Sequence, residues 1–479
     1  MCPNLRDPLR RIGRARLAAA LGLAVAGAVC AVDLKANGAA NPDAIAAPRS
    51  SIVFNCGDSG PGSLRYAIDH AASGDLIDLT QLTCSLITLT TGALHVPLDD
   101  LTLLGPGAGR LAIAPDPASP TSVLRHSGTG LLTISGLEIG NGTEQMHYTA
   151  GGCLYSAGSL RLVDDLVTGC TLTYPGAVVA GANTFATGDL SLENTLLLSG
   201  YLYGLFSLGA VAFVGGDLTM VGSMIAGGQA YGFGGYGGGA LVYGNASISS
   251  SSINNNYAGS GAFGVGGYYA GYFGGLGLEG PASSAVIVNS TISSNHATTA
   301  IGGVFSAVSL TIANSTIACN TSIAPGSYYA AGLAVYATTA DIESTIIANN
   351  TVAGNDFDLS GPPGSASGSN DLIMGSLIAP AGTLTSDPHL LPLAYNGGLT
   401  GSHLLQQDSP AIDAGNNNRA LDYDQRGAPF PRVGGVRADI GATEYSDVLF
   451  GNGFDPASPF APPQGLSAPA TACDGLRSD

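Results

Sequence analysis

The chain has 479 residues, of which 71 are glycine and none is tryptophan, and 34 acidic residues against 16 basic ones give a net charge of -18. Such a chain lacks the basic face that neutralises phosphates, so nucleic acid is excluded as a partner. Only 10% of residues are charged and 45% are hydrophobic, which excludes ordinary disorder. Glycine disfavours helices, and short apolar runs between Gly, Ser, Thr and Asn predict an all-β, turn-rich fold.

The N-terminus has the pattern of a signal peptide. Five arginines precede an apolar run from Leu17 to Val29, and Val29, Cys30 and Ala31 fit the small-residue cleavage rule. The run is short for a membrane span, and no second apolar stretch follows it. We therefore predict a signal peptide over 1–31, a flexible linker over 32–50, no transmembrane span after cleavage, and a secreted or cell-surface protein.

Outside the cytosol, cysteines form lasting disulfides. Local bridges Cys56–Cys84 and Cys153–Cys170 are the candidates, although spacing alone leaves the connectivity open. The cysteines lack the C-x-x-C pairing of a zinc site, so we expect no metal bound to them.

A short pattern recurs along the middle of the chain. Clear copies read NSTISSN (289–295), NSTIACN (314–320) and ESTIIANN (343–350), and degenerate copies precede them. Their central aliphatic residues recur mostly every 28 or 29 residues, a period typical of solenoids. The series is Ile139, Val167, Leu196, Ile225, Ile253, Ile292, Ile317 and Ile346.

A coil of such a chain cannot bury its own apolar face, so the next coil must stack on it. Stacking aligns equivalent positions, which predicts an aliphatic column inside and asparagine ladders at the turns. Binding groups are the alternative role for these asparagines. The pattern resembles the right-handed parallel β-helix, with about 10 coils in all and the repeats over 127–383.

The segment 51–126 is predicted to form an N-terminal cap and the first coils. Leu64, Ala67, Ile68 and Ala71 recur at helical spacing after Ser63, a candidate N-cap. A short amphipathic helix here would cover the open edge of the solenoid. The phrase DSGPGSLRYAI (58–68) also resembles the opening of many secreted bacterial β-helix proteins.

The segment 384–446 contains the ordered pieces DP, NGG, SPAIDAG, DQRG and DIGATEY. These resemble the C-terminal block of the choice-of-anchor Q family of secreted bacterial β-helix proteins. The resemblance implies a C-terminal cap, a place on the bacterial outer envelope, and a structural network of Asp413, Asp422, Asp424, Arg426 and Asp439. One buried Arg–Asp pair is expected there. The remaining residues, 447–479, are predicted to be a disordered tail.

Many β-helices cleave polysaccharides, so catalytic residues need consideration. A lyase needs cationic groups, and Arg161 is the one basic residue between 128 and 380. A hydrolase needs two carboxyl groups across a groove, for which the candidates are Asp164, Asp165, Asp356 and Asp358. A solvated turn is the alternative role of Asp164 and Asp165. No Ser-His-Asp signature is present.

We expect no cofactor. Calcium is the alternative, because Asp356 and Asp358, like Asp422 and Asp424, have the alternate spacing that loops use for oxygen ligands. No EF-hand loop or glycine-rich nonapeptide array is present.

Two Gly- and Tyr-rich stretches, 227–244 and 257–280, offer candidate binding residues. Tyr231, Tyr236, Tyr257, Tyr268, Tyr269 and Tyr272 could stack on sugars or form a contact patch, while packing inside long turns or extending the core is the alternative. We therefore predict a non-catalytic secreted or cell-surface protein that is adhesive, structural or carbohydrate-binding, with an extracellular glycan or another cell surface as its partner. The second hypothesis is a polysaccharide-degrading enzyme, a glycoside hydrolase rather than a lyase.

Overall fold

The computed structural model describes residues 49–145, 147–260, 270–280, 283–324, 327–336, 338–445 and Cys473. The predicted signal peptide and nearly all of the predicted linker and tail lie outside these residues. In the described part, four long parallel sheets, here named A to D, account for almost all regular structure, with one short helix. No helix among the described residues is long and apolar enough to cross a membrane.

Every coil contributes short strands, and the described strands group by sheet. Sheet A contains Ser50–Ile52, Asp75–Asp78, Leu101–Leu104, Leu131–Ser135, Ser159–Val163, Leu190–Glu193, Leu218–Val221, Ala246–Ser249, Ser284–Val288, Ser309–Ala313, Ala340–Glu343 and Ala366–Ser369. Sheet B contains Leu86–Leu89, Ala112–Pro115, Glu138–Gly140, Leu166–Thr168, Leu196–Leu198, Met224–Ala226, Ser252–Asn254, Thr291–Ser293, Thr316–Ala318, Ile346–Ala348 and Leu372–Ile373.

Sheets C and D complete the coils. Sheet C contains Leu94–Val96, Leu124–His126, Leu154–Ser156, Thr184–Ala186, Ala212–Val214, Ala240–Val242, Leu276–Leu278, Val304–Ser306, Leu333–Val335 and Leu359–Ser360. Sheet D contains Thr143–Gln145, Thr171–Ala180, Tyr201–Leu208, Gln229–Gly232, Gly234–Tyr236, Tyr257–Ser260, Ala270–Phe273, His296–Ala297, Thr321–Ser322, Thr351–Val352 and Asn355–Asp356. A separate hairpin pairs Ala394–Tyr395 with Gly401–Ser402.

The chain passes through sheets A, B, D and C in turn, and each coil pairs in parallel with the next. The predicted all-β parallel solenoid is confirmed, with about 11 turns in the described residues. The aliphatic column runs through sheet B and is almost fully buried. Register places Leu197 and Ile347 in it, so the sequence-based index was one residue early at Leu196 and Ile346.

Each coil turns sharply between sheets A and B and again between sheets B and D. Residues with positive φ recur at both corners, such as Asn194 and Asn289 at the first and Asn255 and Asn349 at the second. Asparagine and glycine tolerate this left-handed conformation better than other residues. The polar pair that ends each sequence copy is therefore a turn requirement.

The predicted asparagine ladder lies fully inside the second corner. Asn256, Asn295, Asn320 and Asn350 are buried, and each donates its side-chain amide to the carbonyl oxygen of the next at 2.8–2.9 Å. The ladder ends at Asp358, whose carboxylate accepts from Asn350 at 2.7 Å. These side chains form hydrogen bonds with backbone N–H and carbonyl groups that the strands leave unpaired, so the role of the column is structural.

A second ladder, of hydroxyl groups, follows the first corner. Each hydroxyl accepts the backbone N–H of the preceding coil and donates to the carbonyl two residues before itself, as Ser251 does with Ser223 and Ser249. Buried carboxylates occupy its two ends. The column is Asp165, Thr195, Ser223, Ser251, Ser290, Ser315, Thr345 and Asp371.

The N-terminal end is covered as the sequence predicts. Helix α1, Leu64–Asp69, begins after the N-cap Ser63 and buries Leu64 and Ile68. Asp58 pairs with Arg65 and accepts hydrogen bonds from the threonines that follow Leu89. Burial raises the pKa of Asp58. Hydrogen bonds from the side chains of Thr91 and Arg65 and from the backbone N–H of Thr90 outweigh this effect, so the pKa is lowered to about 2.

The C-terminal block was predicted to be a cap of the solenoid. In the structure it packs along the side of the solenoid. Ser293 contacts His403, and Thr316 accepts the backbone N–H of Ala442, so the block lies on the outer face of sheet B. A second apolar core forms beneath it, separate from the core inside the coils.

The disulfides include both predicted bridges, Cys56–Cys84 and Cys153–Cys170. A third, Cys319–Cys473, joins sheet B to a residue of the predicted tail.

Candidate functional site

The outer face of sheet D carries a row of aromatic side chains. Along its strands Leu172, Leu202 and Ala258 point into the core and are fully buried, so their neighbours point outward. Strand register aligns the outward positions into a column across successive coils. The column is Thr143, Thr171, Tyr201, Gln229, Tyr257, His296 and Thr321.

Four rings on this face, Tyr201, Tyr231, Tyr257 and His296, follow one another and are named here the tyrosine row. The ring centroids are 5.7 Å apart for the first pair, 5.2 Å for the second and 5.1 Å for the third. The last pair stacks nearly parallel, at 6°. The imidazole Nδ1 of His296 lies 2.6 Å from the hydroxyl of Thr321, which fixes the end of the row.

The row presents flat apolar faces with polar edges. Tyr201 is 37% exposed, and the other three rings are half-buried. Burial raises the pKa of Tyr201, Tyr231 and Tyr257 above the ordinary value, so the phenols stay neutral at physiological pH. Rings of this kind can stack on sugars while their hydroxyls remain free to hydrogen-bond.

The structure separates the tyrosines that the sequence grouped. Tyr231 belongs to the tyrosine row. Tyr236 is 6% exposed and stacks at 4.6 Å on Tyr272, which is half-buried. This pair continues into a cluster with Phe273, so packing inside the turns describes Tyr236 best. Tyr268 and Tyr269 lie outside the described residues.

Sequence reasoning selected Tyr231 and Tyr257 as binding residues but not Tyr201 or His296. A usable signal existed, because each lies four residues after a member of the aliphatic column in sheet B. The early index at Leu196 hid this offset for Tyr201. An aromatic residue at a fixed distance from a solenoid's core column is therefore an informative pattern.

The four candidate catalytic carboxylates do not form a pair. Asp165 and Asp358 are fully buried ladder ends, and burial raises the pKa of Asp165 to about 8 and that of Asp358 to about 6. The interpretation of Asp165 as part of a solvated turn was wrong, because its side chain turns inward. Asp164 accepts from Asn194, and Asp356 lies exposed several coils further on.

Four of the five residues that the resemblance names, all but Asp422, interact through their side chains within the C-terminal block. Asp424 and Arg426 form the expected buried ion pair, and Arg426 also donates to the backbone carbonyl of Glu444. Asp439 accepts backbone N–H groups from Asp413 and from Tyr445 through its two oxygens. Asp422 is exposed, and its backbone carbonyl accepts from Arg432.

The sequence missed the buried pair at the centre of this network. Arg432 is fully buried and lies 3.0 Å from the carboxylate of Glu444. Burial raises the pKa of Glu444 to about 7 although Arg432 opposes the shift. Glu444 belongs to the piece DIGATEY and Arg432 lies five residues after DQRG, but spacing alone does not reveal that the fold brings them together.

No cluster of three or more potential metal ligands occurs among the described His, Cys, Asp and Glu residues. The two spaced aspartate pairs have other roles, since Asp358 ends the asparagine ladder and Asp424 pairs with Arg426.

Treatment with EDTA is therefore expected to leave the melting temperature within about two degrees of its starting value. One carboxylate of each candidate pair is already engaged, Asp358 by the asparagine ladder and Asp424 by Arg426, which leaves single exposed carboxylates at Asp356 and Asp422. Thermal unfolding with and without the chelator measures this, with added calcium as the control. A large drop that calcium reverses would show that a cation holds the fold.

A cavity of about 430 Å³ opens at the first strand of sheet D. Near it the guanidinium of Arg125 lies 3.7 Å from the ring centroid of Tyr148 and 4.4 Å from that of Tyr155. The lining residues are Pro120, Thr121, Thr143, Glu144, Gln145, His147 and Tyr148.

Comparison with known proteins gives little beyond the architecture. No family model matches the chain, and no curated protein matches it. Among solved structures, the crystal structure of pectate lyase Pel9A is similar at 14% identity and a TM-score of 0.48, over 84% of this chain and 98% of that one. The fold assignment given above rests on strand order and register.

Proposed function

We propose that the protein is an exported, non-catalytic β-helix protein that binds a neutral polysaccharide along the tyrosine row. The observation that carries the proposal is the sequence of rings at 5.1–5.7 Å on the outer face of a rigid parallel sheet. A glycan chain lying along the solenoid axis meets a new ring at nearly every coil. Stacking on several rings supplies affinity without any reacting group.

Charge favours a neutral glycan. The chain carries a net charge of -18, which repels acidic polymers at a distance. The non-aromatic positions of the outward column are threonine and glutamine, whose hydroxyl and amide groups suit sugar hydroxyls. No cofactor is needed for such binding, and we propose none.

Export is supported by the disulfides and by the N-terminal sequence. Three disulfides favour an oxidising compartment. The signal-peptide pattern of 1–31 also indicates export from the cytosol. We further propose a place on the cell surface and membership of the choice-of-anchor Q family, on the strength of the sequence pieces folded into the C-terminal block. An adhesive role follows if the glycan belongs to another cell.

Replacing Tyr231 or Tyr257 with alanine should weaken binding by about threefold to tenfold each, because a stacked aromatic ring contributes about 0.5–1.5 kcal/mol beyond its buried area. Affinity electrophoresis against xyloglucan, β-glucan, galactomannan and arabinoxylan measures the loss, with homogalacturonan as the acidic comparison. Tyr423→Ala is the matched control, since Tyr423 is exposed on the C-terminal block over sheet B.

If Tyr423→Ala weakens binding as much as the substitutions in the tyrosine row, the row is not the binding site. If no neutral polymer binds, the proposed function is rejected. The same incubations are assayed for reducing ends. Turnover on any polymer would favour the second hypothesis, a polysaccharide-degrading enzyme, over the binding role.

A further inference from the structure

The cavity at residues 120–148 lies where sheet D begins. Thr143–Gln145 is the first described strand of this sheet, so no strand pairs with it on the N-terminal side. The preceding coil instead supplies Pro120 and Thr121, and the backbone N–H of Thr143 donates to the carbonyl of Thr121 at 2.9 Å. The loop therefore closes the outer face of sheet D at this end.

The cavity is in line with the tyrosine row. Register pairs Thr143 with Thr171 and Thr171 with Tyr201. Two coil steps separate the cavity wall from the first ring, a distance of about 10 Å at the usual spacing of strands. A chain that lies on the row and continues toward the N-terminal end reaches the cavity and meets the loop there.

The lining suits a sugar. Thr143 contributes an outward-facing hydroxyl. Glu144 is in register with the inward-pointing Leu172, so its buried carboxylate, which accepts the backbone N–H of Ser122 at 3.2 Å, turns away from the outer face. Gln145 adds an exposed amide.

The cavity also has an aromatic wall with a fixed orientation. Tyr148 is 42% exposed, and Arg125 lies over its ring while contacting Tyr155 on the neighbouring strand of sheet C. Arg125 is 8% exposed and also donates to the backbone carbonyl of Ala150 at 3.2 Å. A partly exposed ring beside outward-facing hydroxyl and amide groups can stack on a pyranose and hydrogen-bond its hydroxyls.

We propose that this cavity binds the terminal residue of a neutral glycan whose following residues lie on the tyrosine row. The inference rests on the proposed function and adds end recognition to it. An internal segment of a polymer passes along the row, whereas only a chain end fits against the closing loop. The cavity thus sets both the position and the direction of the bound chain.

The test uses the full mature protein with cellohexaose, mannohexaose and xylohexaose, followed by isothermal titration. Tyr148→Ala should weaken binding of the preferred hexasaccharide by about threefold to tenfold. Gln145→Ala, at an exposed position, should weaken it in the same direction. Tyr423→Ala is again the control. Shortening the parent polymer with an endo-acting hydrolase should raise the amount of protein bound per gram.

The outcomes separate this inference from the proposed function. If Tyr231→Ala weakens binding while Tyr148→Ala and Gln145→Ala do not, end recognition is overturned and binding along the row stands. The same holds if shortening the polymer leaves the bound amount unchanged. If none of the three hexasaccharides binds although a neutral polymer does, end recognition is overturned and binding along the row stands; if no neutral polymer binds either, both proposals fail.

Discussion

Replacing Asn320 with alanine should lower the free energy of unfolding by about 3–5 kcal/mol. The side chain of Asn320 donates to the carbonyls of Ile292 and Ala318 and to Asn350, and it accepts from both nitrogens of Asn295. Alanine removes all of these bonds at once. The groups left behind are buried between coils, where water cannot replace the lost partner.

Urea denaturation followed by circular dichroism measures this loss, and Asn245→Ala is the matched control. Asn245 also links neighbouring coils through hydrogen bonds, to Asp217 and Ser284, but it is exposed. Water can take over those bonds, so its replacement should change stability by no more than about 0.5 kcal/mol. Equal effects of the two substitutions would show that burial of the ladder is not what stabilises the coils.

The asparagine ladder was predictable because it follows the repeat. In NSTISSN, NSTIACN and ESTIIANN the last asparagine lies three residues after the aliphatic column, so stacking the copies brings the amides together. Its terminal residue was not predictable. Asp358 reaches the ladder because Asn355–Asp356 turns back antiparallel on Thr351–Val352, a local reversal that the period does not contain.

The hydroxyl ladder was readable from the repeat for most of its length. Each of its members precedes the aliphatic column by two residues, so Asp165 precedes Val167 as Ser223 precedes Ile225. A solvated turn was the alternative role given to Asp165 because this offset was not compared between copies. In the structure its carboxylate takes the place that a hydroxyl takes in the next coils.

The candidate binding face was only partly predictable. Tyr231 came from composition, while Tyr201 and His296 required knowledge of which strand positions face outward. The cavity depends on a loop and a strand from successive coils, and on Arg125 in a different sheet. Such contacts arise from register across coils, which a single sequence constrains only where the repeat is regular.

The two ends of the hydroxyl ladder are predicted to make stability depend on pH. Asp371 is fully buried; one oxygen accepts the backbone N–H of Thr345 at 3.1 Å, and the other has no partner in the structure. Burial, opposed by that hydrogen bond and assisted by the charges of Glu343 and Asp341, raises the pKa of Asp371 to about 8. A protonated Asp371 can act as the hydroxyls do and donate a hydrogen bond.

The direction in which stability changes with pH follows from the linkage between proton binding and folding. The folded-state pKa of Asp371 is above the ordinary value of 3.8, so the folded protein binds the proton more tightly than the unfolded chain. Its contribution to stability is complete below about pH 4 and is lost as the pH rises toward about 8, by at most about 1.4 kcal/mol per pH unit. Asp165 shares this direction, and its pKa is also raised to about 8.

Asp371→Asn should therefore stabilise the protein at pH 8 by about 1–3 kcal/mol and should make little difference near pH 4. Asparagine keeps the acceptor for Thr345 and places an uncharged donor where the carboxylate oxygen has no partner. Urea denaturation of variant and wild type at several pH values measures the difference, which isolates Asp371 from the other buried acids.

Asp165→Asn is the matched comparison at the opposite end of the ladder, and its expected result has the opposite sign. Both oxygens of Asp165 accept backbone N–H groups, from Leu137 at 2.7 Å and from Val163 at 3.0 Å. An amide in either orientation sets its NH₂ against one of these donors, which costs about 1–3 kcal/mol at low pH, where the wild-type carboxyl is protonated and adaptable.

If Asp371→Asn destabilises the protein at pH 8 as much as Asp165→Asn does at pH 4, then Asp371 is held as a carboxylate and the unpaired oxygen has another explanation. If the two variants instead differ in sign, the ladder distinguishes a terminal acceptor from a terminal donor, and the chemistry of each end follows from which backbone groups the neighbouring coil leaves open.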